Sequence, residues 1–437
     1  MPATDNQGSF LNLISIRRNQ VPTMDQDLDD LELFQKHVAT RFSDLLPSTT
    51  TTTATAAAAA TTTTHNNSPS DVTSTNTTDG TESPSATAAE VAYTPPPPPP
   101  LLSAAWFRDL LDTFLCCEAE FKAVLILGRD PSQFAKPPLD RLIPDLLERA
   151  VKALDVCNAV THGIELVRQW QKLAQIAVAA LQQNPIGDGQ VRRARKALAT
   201  MLASMAFDDK ENASTNSHGK STERTWSFGR RGGAAAVVKD NHAVNFRTLS
   251  VSVAKSWSAA KQIQAMSSNL VAPRGAESTG LALPVYIMST VLVFVMWSLV
   301  AAIPCQERNG LSAHLNLPRQ SGWAQPMIGL LEKIGEDWKK KEKKGTAGLL
   351  EEIQRMEKVG QSLVEFADSF VFPLEEEKAA EVAVQVAELA EICRKMEEGL
   401  GPLQQQIREV FHRMVRSRAE ILDVLDQVSK SSIPVPY

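Results

Sequence analysis

The sequence predicts an all-α protein. Apolar residues recur at three- and four-residue spacing along much of the chain, whereas no segment shows a convincing strand alternation. A 23-residue apolar run at 281–303 and a long heptad pattern at 382–428 strengthen this prediction. We therefore expect an elongated helical bundle with coiled-coil-like C-terminal helices and one strongly apolar helix. A disordered low-complexity insert is expected within it.

The N-terminal segment, residues 1–46, carries one predicted amphipathic helix at 25–46. Its acidic start suits a helix N-terminus, where negative charge is favourable. Five apolar side chains then mark one buried face: Leu31, Phe34, Val38, Phe42 and Leu45. Residues 47–100 are rich in Thr, Ala and Ser and end in six prolines. This composition predicts a disordered insert with a stiff polyproline end.

Residues 101–206 are predicted to form a helical region, with a breaker at 136–140. Long helical patterns follow at 145–182 and 189–206. The second has a basic face formed by Arg192, Arg193, Arg195 and Lys196. Such a face is either simply solvated or contacts anionic lipid or an acidic partner.

A polar, Gly-rich linker is predicted at 207–245. Within or beside it, Ser227 and Ser250 each lie three residues after an arginine. That spacing suits basophilic kinases, and a phosphate would add negative charge beside the apolar run. Ser227 and Ser250 are therefore candidate phosphorylation sites.

Residues 246–304 contain a helix followed by the apolar run, which lies between Glu277 and Glu307 without a charged residue. The 23 helical residues of 281–303 rise about 35 Å, enough to cross a hydrocarbon layer about 30 Å thick. The hydroxyls of Ser289, Thr290 and Ser298 can bond to carbonyls one turn back. We therefore predict a candidate transmembrane helix. Its apolar span residues include Val285, Ile287, Val291, Leu292, Val293, Phe294, Val295, Leu299, Val300 and Ile303.

The same run is also typical of a helix buried on all sides in a large bundle. Trp297 lies in mid-span rather than in an interfacial aromatic belt, and the few flanking basic residues give no clear orientation. A span across the bilayer would also place the helices before and after it on opposite sides, where they cannot share one core. Both interpretations therefore stay open at this point.

Residues 305–437 are predicted to form a helical, coiled-coil-like region with a loop followed by three helical stretches. The last has a heptad seam at 382–428, which we predict to be the surface that binds a protein partner. Its candidate residues are Val382, Val386, Leu389, Leu403, Ile407, Val410 and Met414. Packing within the chain is the alternative. Gly399, Gly401 and Pro402 interrupt the pattern, so we expect two helices that meet there.

The composition argues against several classes of function. With 45 basic and 50 acidic residues the net charge is −5, so there is no global polycation suited to nucleic acid. The seven histidines are scattered without metal-ligand spacing, and no phosphate-binding loop or nucleophile elbow occurs. We predict no catalytic, cofactor or metal site and no small-molecule substrate. Five cysteines, an odd number, indicate reduced cytosolic thiols.

Several long stretches together resemble one plant family. They are MPATDNQGSF at 1–10, LDVCNAV at 154–160, FRTLSVSVAKSWSAAKQIQAMSSNLVAPR at 246–274, LALPVYIMSTVLVFVMWSLVAAIPCQER at 281–308 and EVFHRMVRSR at 409–418. In these stretches the chain is similar to the plant-specific ROH-type, BYPASS-related proteins. The resemblance covers nearly the whole chain except the Thr/Ala/Pro insert.

The resemblance implies a non-enzymatic, membrane-associated protein that binds an exocyst subunit in polarised secretion and cell-wall deposition. The sister branch of the family implies a role in restraining a root-derived mobile signal. Two hypotheses follow. The first is a membrane-associated helical adaptor, single-pass with cytosolic regions. The alternative is a cytosolic, soluble helical-bundle regulator of developmental signalling in which residues 281–303 are buried in the core.

Overall fold

The computed structural model describes residues 24–47, 98–126, 130–183, 185–206, 257–275, 280–305, 310–312, 315–342 and 347–431. Over these residues the chain forms nine α-helices and no strand, which confirms the all-α prediction. The helices are α1 (Met24–Asp44), α2 (Ala104–Ile126), α3 (Leu139–Leu181), α4 (Asp188–Ala206), α5 (Ala259–Ser268), α6 (Ala282–Ala302), α7 (Gln325–Glu342), α8 (Glu351–Asp368) and α9 (Glu376–Ser431). Short 3-10 helices lie at Pro131–Ala135 and Gly322–Ala324.

The helices belong to one unit, which comprises residues up to Leu46 and from Pro99 onward. Residues 47–98 form a separate unit, of which only Pro47 and Pro98 are described. The predicted disordered insert therefore lies almost entirely outside the described residues. The predicted linker at 207–245 and the candidate phosphorylation sites Ser227 and Ser250 also lie outside them.

Helix α6 is the centre of the fold. It packs most extensively against α3 and α2, and it also contacts α5, α7 and α1. Its sequence explains this placement, because apolar residues surround the helix on every side and leave no polar face for solvent. Every residue from Pro284 to Ala302 is buried. The prediction of one strongly apolar helix at 281–303 is thus confirmed.

Residues 349–352 join the end of α6 to the start of α2. The backbone N–H groups of Leu349 and Leu350 donate to the carbonyl oxygens of Ala301 and Ala302, both at 3.1 Å. Glu351 N donates to Leu102 O at 3.1 Å, and the carboxylate of Glu352 accepts from Ala104 N at 3.0 Å. These bonds satisfy terminal groups that a helix leaves without an internal partner.

Helix α9 is continuous over 56 residues, about 84 Å at 1.5 Å per residue, with Pro402 inside it. The prediction of two helices meeting at residues 399–402 is therefore wrong. Packing outweighs the one backbone hydrogen bond that proline cannot make, because Leu400 and Leu403 are buried at 2% and 0% exposure on either side of it. Gly399 also has a structural role, since a Cβ there would lie 3.1 Å from the Cβ of Ala104 at the start of α2.

Candidate functional site

The structure places the predicted membrane-span residues inside the protein. All ten are at most 2% exposed: Val285, Ile287, Val291, Leu292, Val293, Phe294, Val295, Leu299, Val300 and Ile303. Among the described helices, α6 alone is long and apolar enough to cross a membrane, and its most apolar window is 100% buried. Length and composition therefore permit a span, and the observed surroundings are those of a core helix.

The polar side chains of α6 are satisfied within the chain. Thr290 Oγ1 donates to Tyr286 O at 2.8 Å and Ser298 Oγ donates to Phe294 O at 2.9 Å, as predicted for hydroxyls inside an apolar helix. The mid-span indole of Trp297 donates through Nε1 to Ser312 O at 2.8 Å. A buried tryptophan needs such a partner, and a residue after α6 supplies it.

Helices α3 and α6 approach each other unusually closely. A Cβ added to Gly163 would lie 2.0 Å from the carbonyl oxygen of Pro304, two residues after the end of α6. Further along the same interface, Cys157 Sγ lies 4.0 Å from Met296 Sδ. Gly163 is therefore required by this packing, because a larger residue would push the end of α6 away from α3.

The seven residues predicted as a partner seam on α9 are packed inside the chain's own core. Their exposure ranges from 0% to 4%: Val382, Val386, Leu389, Leu403, Ile407, Val410 and Met414. Helix α9 lies against α2, α3 and α8. Gln171 on α3 donates to Cys393 O at 3.0 Å and to Glu397 at 2.7 Å. A partner could reach this seam only after α9 had separated from the helices that it packs against.

A buried ionic cluster joins α1 to α2. Glu120 is 0% exposed, and its carboxylate accepts from Arg41 Nη2 at 2.6 Å. The Nδ1 of His37 lies 3.3 Å from both oxygens of Glu120. Apolar periodicity alone does not predict these residues as a buried cluster. The acidic residues inside the apolar stretch at 114–125 were the available signal, because buried carboxylates require cationic or hydrogen-bonding partners.

Glu118 is a second buried carboxylate on α2, and it lies at an apolar cavity of about 40 Å³. The cavity is lined by residues of α2, α3, α6 and α9, including Phe114, Leu147, Met288 and Met414. Arg413 Nη1 lies 3.5 Å from Glu118 Oε2, longer than a normal hydrogen bond. Burial raises the pKa of Glu118, and the nearby Ser417, Arg413 and Lys122 only partly oppose this. The cavity is far smaller than pockets that hold drug-sized ligands.

Three buried cysteines are unsuited to nucleophilic chemistry. None of the five cysteines forms a disulfide, and four of them, Cys117, Cys157, Cys305 and Cys393, are buried. Burial raises the pKa of Cys117 and Cys157 to about 12 and that of Cys393 to about 11. Such thiols remain protonated at neutral pH, whereas a reactive cysteine needs a thiolate. In the described part of the chain, no group of three or more His, Cys, Asp or Glu residues could hold a metal ion.

The basic face of α4 is exposed. Arg192 Nη2 lies 2.5 Å from Asp188 Oδ2, and Arg195 pairs with Asp368 at the end of α8. A wide, open groove of about 630 Å³ runs along this face and is lined by Arg192, Arg195, Lys196, Thr200 and neighbouring small residues. The predicted basic face is therefore at the surface, with part of its charge already paired.

Comparison with known proteins decides the family. The sequence profile of the family described as Protein ROH1-like matches residues 1–425. This chain belongs to the ROH1-like family. Among its curated relatives, Protein ROH1A of Arabidopsis thaliana is 54% identical over 444 residues, covering 99% of both chains. Protein ROH1D of the same plant is 47% identical over 336 residues, covering 74% of this chain and 82% of the relative.

No solved structure matches this ROH1-like chain. The resemblance predicted from the sequence is confirmed by the family match and by both plant relatives. These names identify a family without describing a reaction, a ligand or a partner. The placement of the apolar helix and the exposed surfaces are therefore the structural features that bear on function.

Proposed function

We propose that this ROH1-like protein is a non-enzymatic helical scaffold that binds a protein partner, with α6 as its core helix. The main support for the proposal is that α6 is enclosed by segments that precede it in the sequence and by segments that follow it. Helices α2 and α3 precede α6, whereas residues 349–350 and Ser312 follow it, and all of them contact it.

A membrane crossing would break much of this arrangement. If α6 spanned a bilayer, α2 and α3 would lie on one side while α8 and α9 lay on the other. Yet α9 packs against α2 and α3, and α8 packs against α4. The buried bond between Glu352 and Ala104 N likewise joins residues that a crossing would separate. This geometry favours a core helix.

Membrane anchoring is the second candidate, because α6 satisfies the length and composition of a transmembrane helix. Alkaline carbonate extraction of plant membranes separates the two candidates. A core helix predicts release of the full chain into the supernatant, whereas a lipid-embedded helix predicts retention in the pellet. A known single-pass protein and a known peripheral protein from the same membranes provide matched controls.

An exocyst subunit is the proposed partner, on the basis of the resemblance found in the sequence. Because the α9 seam is buried, binding must use side chains that are exposed in the folded chain. The test is to present the full-length chain, in detergent-free buffer, to each purified exocyst subunit separately. Saturable binding to one subunit, with a Kd of about 1 μM or tighter, supports the proposal. Absence of binding to every subunit would count against it.

Regulation of developmental signalling is compatible with the same scaffold. A soluble chain that binds no exocyst subunit but acts in shoot development would favour developmental signalling. Exocyst binding and developmental signalling are distinguished by expressing a variant impaired only in subunit binding in plants that lack the native protein. Restored secretion without binding would exclude the exocyst subunit as the required partner.

A further inference from the structure

Helix α1 lies in a groove that later segments of the chain form. It packs against α2, the 3-10 helix at Gly322–Ala324, α7 and α6. Its buried side chains recur every three or four residues and are at most 7% exposed: Leu31, Phe34, Val38 and Phe42. Glu32, Lys36 and Thr40, on the opposite side of the helix, are exposed. This is the geometry of an amphipathic helix bound in an apolar groove, a common mode of peptide recognition.

Two contacts define what the groove recognises. The ring of Phe42 meets the ring of Phe294 on α6 edge-on, with 5.7 Å between the centroids. One residue earlier, Arg41 Nη2 donates to the carboxylate of Glu120 on α2 at 2.6 Å, and Glu120 is 0% exposed. The groove therefore selects a large apolar side chain beside a cation, because a buried carboxylate needs a cationic or hydrogen-bonding partner.

The covalent connection between α1 and the groove runs through residues 47–98. Trp106 Nε1 donates to Leu45 O at 3.0 Å, so the end of α1 lies beside the start of α2. The composition of residues 47–98 predicts a long tether. A long flexible tether keeps the two parts that it joins at an effective concentration of about 1 mM or below. Helix α1 is thus arranged as a ligand tied to its own binding site.

The ion pair between Arg41 and Glu120 permits release of α1 from the groove. Because Arg41 belongs to α1, its departure returns both the guanidinium and the Glu120 carboxylate to water. The desolvation penalty recovered in this way offsets much of the lost attraction between the two charges. Burial of apolar side chains such as Phe34 and Phe42 then supplies most of the affinity of α1 for the groove.

We propose that this groove is a binding site for an amphipathic helix of a partner protein, which takes the place of α1. The partner helix carries large apolar residues at the positions of Phe34, Val38 and Phe42, and a basic residue at the position of Arg41. Helix α1 blocks the groove until it is displaced, so the apparent affinity for the partner helix is reduced to the extent that the groove is closed. The groove is additional to the exposed surface proposed above for an exocyst subunit.

Two other occupants fit the groove less well. An anionic membrane would be repelled by the carboxylate of Glu120. Helix α1 of a second copy makes the same contacts as α1 of the same chain. At micromolar concentration, however, it cannot compete with a helix that is tethered at about 1 mM.

The first test cuts the tether in the full-length chain. A site for a sequence-specific protease replaces residues 56–60, and a fluorescent peptide with the sequence of residues 24–46 is the probe. Cleavage should tighten the Kd of the peptide at least about tenfold, because α1 then competes at micromolar rather than millimolar concentration.

Variants of the peptide test the chemistry of the groove. A peptide that carries both Phe34→Ser and Phe42→Ser should not bind. Arg41→Ala should weaken the Kd at least about tenfold, because it leaves Glu120 buried without its cation. The matched control is Lys36→Ala, which changes a basic residue on the exposed side of the helix and should leave the Kd unchanged.

The second test opens the groove without cleavage. Phe34→Ser combined with Phe42→Ser in the full-length chain weakens the docking of α1 and leaves every residue of the groove unchanged. This variant should bind the native peptide at least about tenfold more tightly than the native chain does. Lys36→Ser is the control and should bind the peptide as the native chain does. Circular dichroism establishes that each chain is folded, and the cleavage experiment decides if the double variant does not fold.

The proposal is overturned if the peptide binds the cleaved and the uncleaved chain equally, or if release of α1 unfolds the remaining helices. Movement of the opened chain onto phosphatidylserine vesicles in competition with the peptide would assign the groove to lipid and overturn it. Sedimentation of the native chain at twice 47.7 kDa, reversed by the peptide, would assign the groove to a second copy and also overturn it. Neither test uses an exocyst subunit, so the groove can fail while exocyst binding stands.

Discussion

Gly163 of α3 faces the carbonyl oxygen of Pro304 so closely that a Cβ built on the glycine would lie 2.0 Å from that oxygen. The same Cβ would lie 2.8 Å from Cγ2 of Ile303, the last residue of the apolar run. This relationship exists only if the end of α6 rests on the middle of α3. It therefore links one glycine directly to the location of the apolar helix.

Substitution of Gly163 by alanine should destabilise the protein. The added methyl group forces α3 and α6 apart, and overpacking of this kind costs about 1–3 kcal/mol in the free energy of unfolding. The measurement is chemical denaturation of the purified chain. Gly189→Ala in α4 is the control, since a Cβ there meets nothing within 4 Å and should stabilise by up to about 1 kcal/mol. A neutral or stabilising Gly163→Ala would contradict the observed packing.

Two glycines in α9 should respond differently to alanine. A Cβ at Gly401 meets nothing within 4 Å, so Gly401→Ala should stabilise the helix by about 0.5–1 kcal/mol. At Gly399 the methyl group would press against Ala104, so the same substitution should gain less or destabilise. Thermal unfolding of the two variants gives the comparison. Equal gains at both positions would mean that α9 does not lie against the start of α2.

Removal of the Glu352 carboxylate should weaken the junction between α8 and α2. Glu352→Ala leaves the buried N–H of Ala104 without its acceptor, which costs about 1–3 kcal/mol. Glu352→Gln keeps an acceptor oxygen and should cost less. Glu351→Ala is the neighbouring control, because the Glu351 side chain is partly exposed and pairs only with Arg355. If all three variants unfolded at the same denaturant concentration, the proposed role of Glu352 would be wrong.

Glu118 should make stability depend on pH. Burial raises its pKa above the ordinary value of 4.5, so the folded chain keeps this proton to higher pH than the unfolded chain. The resulting stabilisation is complete below the unfolded pKa and is lost as pH rises through the folded pKa. Glu118→Gln removes this titration. The variant should therefore gain stability relative to the native chain as pH rises from 4 to 7, by at most about 1.4 kcal/mol per pH unit.

Denaturation of both proteins at several pH values provides the measurement. The difference between them isolates Glu118, because the remaining titratable groups are common to both chains. The free energy of unfolding of Glu118→Gln, measured relative to that of the native chain, should rise from pH 4 to pH 7. If it stayed constant or fell over this range, the pKa of Glu118 would not be raised.

Helix periodicity was sufficient to predict much of the fold. Leu31, Phe34, Val38 and Phe42 form the predicted buried face of α1, and Leu45, which follows the helix, is buried as well. The α9 heptad is buried as its spacing indicates. The environment of α6 could not be predicted, because lipid and a protein core select the same apolar side chains. Trp297 was the best indicator in the sequence, since its mid-span indole needs the partner that Ser312 provides.

Predictions from local sequence were wrong where contacts between residues distant in the sequence determine the structure. Pro402 normally interrupts a helix, but α2 and α3 hold α9 on both sides of it. Glu118 and Glu120 are acidic residues that a periodicity argument assigns to solvent, whereas Arg41 and Arg413 approach them from α1 and α9. The exposure of Val371 and Phe372 could not be predicted from the sequence either, because apolar residues generally indicate burial.

The contact between Cys157 and Met296 gives the most direct test of whether α6 is a core helix. Met296→Cys would place a second thiol where Met296 Sδ lies 4.0 Å from the Cys157 sulfur. Mild oxidation of the full-length variant, in membranes and in the soluble fraction, should then form an intramolecular disulfide between α3 and α6, visible as a mobility shift without reductant. Adding Cys157→Ser should abolish the shift. Failure to cross-link, together with retention of the chain in carbonate-washed membranes, would contradict a core position for α6.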